Sequence, residues 1–224
     1  TEGGDPAYES SEVRMLFLDG RDNMSGWAEA QPLEHEPGTT FRYSTATSVI
    51  LSDIATDTIA EGESADARQR AIAEYVEARL AVPLGIDSLV GEYDAQGTLV
   101  GGSHFWATAR DWAKFGEFLR NHGSVRGAQI VPRGWIEFMR RASPASPDYG
   151  AQLWLNRPSG EERDVLFGGA LGEDIFAAVG HLGQYIVVSP QRRLTVVRLG
   201  KTDDENRDRL VEELEDIVAL YPSR

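Results

Sequence analysis

The sequence predicts an α+β fold in which helices come first along the chain and strands follow. Apolar residues recur at helical spacing between residues 44 and 141, where Gly and Pro separate the segments from one another. After Pro147 the pattern changes to short runs rich in Val and Ile, which are typical of strands. We therefore expect a mostly helical lobe with an irregular N-terminal segment over residues 1–147. An α/β lobe of antiparallel strands and a C-terminal helix is expected over residues 148–224.

The first lobe is expected to begin with an irregular segment that leads into two helices. Residues 1–42 hold several Pro and Gly breakers, so only a short helix near residues 11–18 is expected there. A helix is expected from Ser44, and a second one, capped by Ser64, is expected to be stopped by Pro83 and Gly85. The apolar residues expected to be buried on these helices are Val49, Ile50, Ile54, Ala71, Ile72, Tyr75, Val76 and Leu80.

Two further helices are expected before Pro147. Residues 85–106 indicate a loop with at most short strands, and Thr108-Ala-Arg-Asp111 is a capping box that begins a helix. Pro132 suits the first turn of a short helix over residues 133–141. The side chains expected to face inward from these two helices are Trp112, Phe115, Phe118, Leu119, Trp135 and Phe138.

The second lobe is expected to contain a strand meander followed by one amphipathic helix. The predicted strands are Ala151–Leu155, Ile175–Val179, Tyr185–Ser189 and Leu194–Leu199. The helix, Asp204–Leu220, has an apolar stripe formed by Leu210, Val211, Leu214, Ile217 and Val218. One helix covers only one face of a sheet, so the other apolar face is expected to need a partner that covers it.

Composition excludes several classes of function. The formal net charge of −14 argues against nucleic-acid binding, because an acidic chain repels phosphates. The absence of cysteine excludes a disulfide, a thiolate nucleophile and a cysteine zinc site. No stretch is long and apolar enough to span a bilayer, so a soluble protein is expected, whose compartment stays open.

Metals and cofactors are not expected. The four histidines are scattered and lack the paired spacing of metal ligands: His35, His104, His122 and His181. The run Gly101-Gly102-Ser103 is too short for a phosphate loop and does not join a strand to a helix in the required way. The candidate chemistry therefore rests on other segments.

The segment Gly180-His-Leu-Gly-Gln184 is a small polar island between two apolar runs that are expected to pair at the edge of a sheet. Its glycines allow the backbone to approach a ligand closely, because glycine has no Cβ. His181 suits a polar contact to such a ligand. The alternative is structural, since a lone histidine between strands is more often a residue satisfied within the fold.

Tyr43 lies where an irregular segment enters a helix, in the run Glu36-Pro-Gly-Thr-Thr-Phe-Arg-Tyr43. A tyrosine hydroxyl at such a position can reach a cleft, and nearby cations that lower its pKa make it a general base. The alternative is that Tyr43 is a half-buried aromatic residue that anchors the start of the helix.

Five segments, in order along the chain, resemble motifs of the serine beta-lactamase and penicillin-binding-protein superfamily, in particular its class C-like esterases and 6-aminohexanoate-dimer hydrolases. The segments are Glu36–Tyr43, Pro83–Ile86, Phe105–Gly116, Gly127–Trp135 and Gly180–Pro190. The first resembles the approach to the catalytic tyrosine of that family. The last resembles its His-x-Gly strand, the counterpart of Lys-Thr-Gly. The resemblance implies a beta-lactamase/DD-peptidase-like fold.

The resemblance also implies a serine hydrolase that forms an acyl-enzyme from an amide or ester, without metal or cofactor. Tyr43 would take and return protons in this mechanism, held in its working state by nearby cations. His181 would orient the tyrosine and the polar end of the substrate. Gly183 would keep the strand open to substrate, and the N–H of Gln184 would be one of the two oxyanion donors.

The sequence departs from the family pattern at two points. The usual Tyr-x-Asn is Tyr43-Ser-Thr45, so Thr45 places a hydroxyl where relatives place a substrate-binding amide. In addition, neither Lys114 nor Lys201 lies three residues after a serine, so the chain contains no Ser-x-x-Lys nucleophile. The resemblance therefore implies the C-terminal portion of such a hydrolase, without its N-terminal strands and nucleophile helix. The chain alone is expected to be inactive.

The expected partners are a small-molecule amide or ester and the missing N-terminal portion of the same protein, or a docked partner over the open sheet. Beta-lactams, peptides, short esters and aminohexanoate oligomers are all compatible substrates. Two alternatives stay open. One is a non-catalytic beta-lactamase-like binding or regulatory domain, and the other is a processed enzyme whose N-terminal piece docks as a separate chain.

Overall fold

A computed structural model describes residues 10–159 and 164–223 of the chain. The chain forms two compact units, and each is described by itself. Of the described residues, unit 1 contains 10–37, 42–82 and 88–107, and unit 2 contains 38–41, 83–87, 108–159 and 164–223. The boundary expected at residue 147 does not coincide with this division. The combination of helices with antiparallel strands confirms the predicted α+β class.

Unit 1 is mainly helical. Its helices include α1 (Ser11–Phe17), α2 (Met24–Glu29), α3 (Thr45–Ala60) and α4 (Ala65–Val76). A π-helical turn, Glu77–Ala81, continues α4 and leads into the short helix α5 (Val82–Leu84). Two short antiparallel strands pair in this unit, β1 (Val90–Gly91) and β2 (Phe105–Trp106).

Capping and apolar burial explain where the first three helices lie. The side chains of Ser10, Asn23 and Ser44 accept hydrogen bonds from backbone N–H groups in the first turns of α1, α2 and α3. These helices then bury a common apolar core formed by Met15, Met24, Ala28, Val49 and Val100. Burial of this core stabilises helices that are too short to persist alone.

Two expectations for unit 1 are wrong, and a third, the end of the second predicted helix, is confirmed. Helix α2 lies in a segment expected to be irregular, because Asn23 caps it and its apolar side is buried. Ile54 and Tyr75 are exposed, whereas Val49 of α3 is fully buried as expected. The second predicted helix stops where expected, because α5 ends at Leu84 and Gly85 has a φ of 68°, although Pro83 lies within α5.

Unit 2 contains the main sheet and the helices that pack on it. These helices are α6 (Ala109–Arg120), α7 (Arg133–Met139) and α8 (Arg207–Ala219), the last preceded by the 3-10 turn Asp204–Asn206. A small hairpin pairs β3 (Ser124–Val125) with β4 (Ala128–Gln129). The main sheet is antiparallel and its strands, in spatial order, are β5 (Trp154–Leu155), β6 (Phe176–Gly180), β7 (Gln184–Ser189) and β8 (Leu194–Arg198).

The predicted strand meander and C-terminal helix are confirmed, with α8 packed on one face of the sheet. Tyr185 and Val187 of β7 belong to the same buried cluster as three residues of the predicted stripe: Leu210, Leu214 and Val218. Ile217 is exposed, so the buried stripe of α8 is narrower than expected. Side-chain alternation along β7 explains why every second residue faces α8.

The opposite face of the sheet is covered in part by α6, which corrects the expectation of an uncovered apolar face. The predicted start of α6 is confirmed, because Oγ1 of Thr108 accepts a hydrogen bond from the N–H of Asp111 at 3.3 Å. A Cβ on Gly116 would lie 2.5 Å from Cγ2 of Thr195 and 2.9 Å from Cγ2 of Ile186. Gly116 therefore allows α6 to pack directly against β7 and β8.

Three further expectations for unit 2 are corrected. Strands β6 and β7 are the central pair of the sheet, so the polar island does not lie at an edge. Strand β5 is shorter than expected, because Gln152 has a φ of 65° that interrupts the extended run. Trp135 and Phe138 of α7 are exposed, and Ile136 is the buried residue that anchors this helix.

In the connection between β5 and β6, residues 167–172 fold around one buried side chain, that of Asn156. Its Nδ2 donates hydrogen bonds to the carbonyl oxygens of Ala170 at 2.7 Å and Gly172 at 2.8 Å. Its Oδ1 accepts hydrogen bonds from the N–H groups of Phe167 at 2.9 Å and Gly169 at 3.2 Å. The two N–H groups and the two oxygen lone pairs of the side-chain amide are therefore all used in hydrogen bonds.

Lys114 joins α6 to the turn that contains Pro83–Ile86. Its Nζ donates hydrogen bonds to the carbonyl oxygen of Gly85 and to Oδ1 of Asp111, the second at 2.7 Å. The other carboxylate oxygen of Asp111 accepts a hydrogen bond from the N–H of Asp87 at 3.3 Å. Two of the segments that carry the family resemblance are thus bound to each other.

Candidate functional site

Tyr43 lies in the extended segment that leads into α3. The next residue, Ser44, caps the helix, because its Oγ accepts a hydrogen bond from the N–H of Ala46 at 3.2 Å. Tyr43 is 50% exposed. Partial burial raises the pKa of Tyr43 above its ordinary value, because it disfavours the phenolate. This direction is opposite to the lowered pKa expected of a tyrosine that acts as a general base.

Thr45 is the first residue of α3 and is partly buried. Two glycines let the loop before β2 approach this end of the helix. A Cβ on Gly102 would lie 2.6 Å from the carbonyl oxygen of Thr45, and a Cβ on Gly101 would lie 2.0 Å from Oγ of Ser52. The glycine pair that is too short for a phosphate loop therefore has a packing role. It holds the helix start on which Thr45 lies, two residues after Tyr43.

The predicted residues His181, Gly183 and Gln184 lie together in the hairpin between β6 and β7. Gly180 and Gln184 form the last pair of this ladder, so residues 181–183 form the turn. Leu182 has a φ of 57° and Gly183 a φ of 81°, the left-handed conformation of tight turns. His181 is exposed. His181 therefore lies in the turn between two paired strands, which is where the position of the polar island predicts it.

Gly183 is buried against α8. A Cβ on Gly183 would lie 2.7 Å from Cδ2 of Leu210. The carbonyl oxygen of Gly183 accepts a hydrogen bond from Nη1 of Arg198 at 2.7 Å. These contacts, with the positive φ, give a packing reason for glycine at this position. The role expected for Gly183 beside a substrate stays a prediction.

Arg198 and Thr202 fix this hairpin, and neither is indicated by the sequence motifs. Nη2 of Arg198 donates a hydrogen bond to Oγ1 of Thr202 at 2.6 Å. The N–H of Thr202 in turn donates to the carbonyl oxygen of Leu182 at 2.9 Å. One signal for this role is visible in the sequence. Arg198 is a charged residue in a strand that otherwise contains Leu, Thr and Val, and such a residue needs polar partners.

The predicted site residues thus form two groups, which are Tyr43 with Thr45 in unit 1 and His181, Gly183 with Gln184 in unit 2. The catalytic and binding roles of these residues stay predictions. Over residues 10–159 and 164–223, no group of three or more His, Asp and Glu side chains is arranged to hold a metal ion. Among the described helices, none combines the length and the apolar character needed to cross a membrane.

Comparisons with known proteins point to one family. The family model described as Beta-lactamase matches residues 3–220. A protein named as a 6-aminohexanoate-dimer hydrolase from Bacillus anthracis has a similar structure, with a TM-score of 0.67 and 21% identity. That match covers 96% of this chain and 54% of the other, so this chain spans about half the length of that relative. A search among curated proteins found no match.

Two further solved structures are similar. A beta-lactamase from Mycobacterium bovis has a TM-score of 0.58 at 19% identity, over 84% of this chain and 66% of the other. A protein named as a beta-lactamase from Bacteroides dorei has a TM-score of 0.56 at 14% identity, over 89% of this chain and 66% of the other. At these identities the likeness establishes the fold. Because the family model matches nearly the whole sequence, the resemblance predicted from the motifs is confirmed, and the chain belongs to the Beta-lactamase family.

Proposed function

We propose that this chain is part of a serine hydrolase that cleaves an amide or an ester through an acyl-enzyme. The observation that carries the proposal is the Beta-lactamase family match over residues 3–220. The names of the similar proteins, one a 6-aminohexanoate-dimer hydrolase and two beta-lactamases, support hydrolysis of an acyl–nitrogen bond. Short esters are compatible with the same chemistry, since both substrates pass through a tetrahedral oxyanion.

In the proposed reaction a serine Oγ attacks the carbonyl carbon and the leaving amine or alcohol departs with a proton. Water then attacks the acyl-enzyme, which releases the acid and restores the serine hydroxyl. Tyr43 is the proposed group that takes the serine proton and returns it to the leaving group. Burial raises the pKa of Tyr43 and so favours the protonated phenol, the form that acts in the donating step. A cation brought by the nucleophile segment would favour the accepting step by lowering this pKa.

The hairpin between β6 and β7 is the proposed oxyanion and substrate side. The backbone N–H of Gln184 is proposed as one oxyanion donor, and the exposed His181 as the residue that orients the polar end of the substrate. Support comes from the fixed shape of the turn. Arg198 binds the carbonyl oxygen of Gly183, and Leu210 packs against Gly183. Donors held in place before the reaction stabilise an oxyanion without a cost of reorganisation.

The nucleophile is proposed to come from polypeptide outside this chain, because the chain contains no Ser-x-x-Lys. The 54% coverage of the Bacillus anthracis structure is consistent with this proposal. Strand β8 offers a place for such a segment, since it is an edge of the main sheet as far as the structure describes it. An edge strand presents backbone groups that can pair with a further strand. The chain alone is therefore proposed to be inactive.

A second candidate, a non-catalytic binding or regulatory domain, is favoured by the same missing motif. A fluorophosphonate probe separates the two. For the hydrolase, the isolated chain should give no adduct, and the protein that also contains the Ser-x-x-Lys segment should be labelled on that serine. The Tyr43→Phe variant of that longer protein should lose about a hundredfold or more in hydrolysis of a p-nitrophenyl ester. A labelled serine in the isolated chain, or full activity of Tyr43→Phe, would refute the assignment.

A further inference from the structure

Two exposed aromatic rings of unit 1, those of Phe17 and Trp106, flank the mostly buried ring of His104, and we call these three rings the aromatic platform. The ring centroids of Phe17 and His104 are 5.6 Å apart. The rings of His104 and Trp106 are stacked, with centroids 6.5 Å apart and planes inclined by 22°. The platform joins the end of α1 to β2, so both elements of secondary structure support it.

A carboxylate is fixed beside this platform. Nε1 of Trp106 donates a hydrogen bond to Oε1 of Glu92 at 2.8 Å. Nδ1 of His104 lies 3.2 Å from Oε2 of the same carboxylate. The Glu92 side chain is nevertheless 51% exposed, so it can also reach a group in solution. The contacts hold a negative charge at the edge of two aromatic rings.

The exposure of the platform is not explained by packing within the described residues. Phe17 is 55% exposed and Trp106 is 54% exposed, whereas the His104 side chain between them is 16% exposed. Val90, the partner of Trp106 across the β1–β2 pair, is 57% exposed. His104 is also held at a φ of 55°, in the left-handed region. Strained backbone and exposed large apolar side chains are both features of binding surfaces. Both features occur together where α1 meets the β1–β2 pair, which makes this surface a candidate binding surface.

We propose that the aromatic platform and Glu92 bind a small molecule that carries an alkylammonium group. The face of an indole ring attracts a cation within about 6 Å of its centroid, and a carboxylate adds direct charge attraction. The alkyl chain of such a ligand would cover the rings of Phe17 and Trp106. The net charge of −14 raises the local concentration of cations around the chain. This site is separate in its chemistry from the proposed acyl-enzyme reaction and requires no nucleophile.

Titration of the isotope-labelled chain with butylammonium chloride, at constant ionic strength, tests the proposal. The indole N–H resonances are followed, and the Trp106→Leu variant assigns the signal of Trp106. We expect a saturable shift of that signal. Trp135 is the matched control, because it is an equally exposed tryptophan in unit 2, at 55%, and its indole N–H should not move. Equal shifts of both signals would mean unspecific contact and would overturn the proposal.

Two variants separate charge from stacking. Glu92→Gln keeps an oxygen that can accept from the Trp106 indole but removes the charge, and should weaken butylammonium binding by about threefold. Trp106→Leu should weaken it by about fivefold, whereas Trp135→Leu should leave it unchanged. Dispersed spectra of each variant show whether it is folded. Unchanged affinity in Glu92→Gln would contradict the role of the carboxylate.

Neutral ligands test whether binding requires the positive charge. 1-Butanol has the same chain length as butylammonium and lacks the charge, so it should bind at least about fivefold more weakly. Methyl glucoside tests the alternative that the platform stacks against a sugar ring. If 1-butanol or the glucoside binds as tightly as butylammonium, the surface recognises apolar or sugar faces and the ammonium proposal is wrong.

Discussion

The side-chain amide of Asn156 donates a hydrogen bond at 2.8 Å to the carbonyl oxygen of Gly172, sixteen residues further along the chain. The same amide binds the backbone at Phe167, Gly169 and Ala170. The loop between β5 and β6 has no ladder of its own in the part that is described, so this side chain supplies the hydrogen bonds that a strand or helix would otherwise supply. This one side chain thus ties together the backbone of residues 167–172.

Replacement of Asn156 by Ala should destabilise the protein by about 3 kcal/mol, because it leaves several buried backbone groups without their partner. Urea denaturation followed by circular dichroism gives the free energy of unfolding. Asn121→Ala is the control, since Asn121 is an exposed residue at the end of α6 and its loss should cost less than about 0.5 kcal/mol. Similar losses in the two variants would contradict the organising role of Asn156.

Gly183 and Gly127 allow backbone strain to be separated from steric contact. Both have a positive φ, of 81° and 84°, but a Cβ on Gly183 would meet Leu210 whereas a Cβ on Gly127 would have no heavy atom within 4 Å. Gly127→Ala should therefore cost about 1 kcal/mol from the left-handed backbone. Gly183→Ala should cost about 1–3 kcal/mol more, because the added methyl group would clash with Leu210. Equal costs in thermal or urea unfolding would show that Leu210 moves away freely.

Glu117 makes stability depend on pH at acidic values. The hydrogen bonds from Arg120 lower the pKa of this carboxyl below its usual value, and a hydrogen bond from Thr195 at 2.6 Å acts in the same direction. Its stabilising effect is therefore present above the pKa of the unfolded chain, near 4.5, and is lost as the pH falls through the lower pKa of the folded state. Between pH 6 and pH 3 the free energy of unfolding should fall less in Glu117→Gln than in the parent chain. Urea unfolding at each pH measures this free energy. Glu213→Gln, at the exposed pair with Arg209, should behave as the parent does.

The phenol of Tyr43 is expected to lose its proton at a higher pH than that of an ordinary tyrosine. Burial raises its pKa above 10.0, so the protonated phenol favours the folded state and this contribution is lost as the pH rises through the raised pKa. The difference in ultraviolet absorbance between the parent chain and Tyr43→Phe should have its midpoint above that value. A midpoint below 10.0 would instead indicate that cations stabilise the phenolate, as the family resemblance implies.

The sequence predicts the elements that depend on local chemistry. The capping box at Thr108 begins α6, and the apolar stripe of α8 is buried at Leu210, Leu214 and Val218. Both depend on residues within a few positions of each other, where hydrogen bonding and spacing are fixed by helical geometry. The strand meander is predicted for the same reason, since alternation and turn residues are local signals.

Features that depend on residues distant in the sequence are not predicted from it. Asn156 is one polar residue in a loop, and nothing near it in sequence indicates that its partners lie up to sixteen residues away. Trp135 and Phe138 have the composition of core residues, yet their rings pack on each other at 5.2 Å on the surface while Ile136 is buried. Periodicity alone does not distinguish these outcomes, because adjacent apolar residues on a short helix offer two possible faces.

The sequence motifs predict the local surroundings of the candidate site residues, and the roles of these residues stay predictions. The motifs place Tyr43 and Thr45 together at the start of α3 and His181 with Gln184 at one hairpin, and the structure has both groupings. The motifs do not predict the raised pKa of Tyr43 or the contacts of Arg198, because these depend on burial and on side chains brought together by the fold.

The bonds of Lys114 have a consequence for how the molecule opens. Its Nζ bridges the turn at Gly85 and the carboxylate of Asp111, and Asp111 holds the N–H of Asp87. The turn cannot separate from α6 unless these bonds break together. Amide protons of the turn and of the first helical residues should therefore exchange with solvent as one cooperative unit, at a common rate. In Lys114→Met the two should exchange independently, and the turn should exchange first.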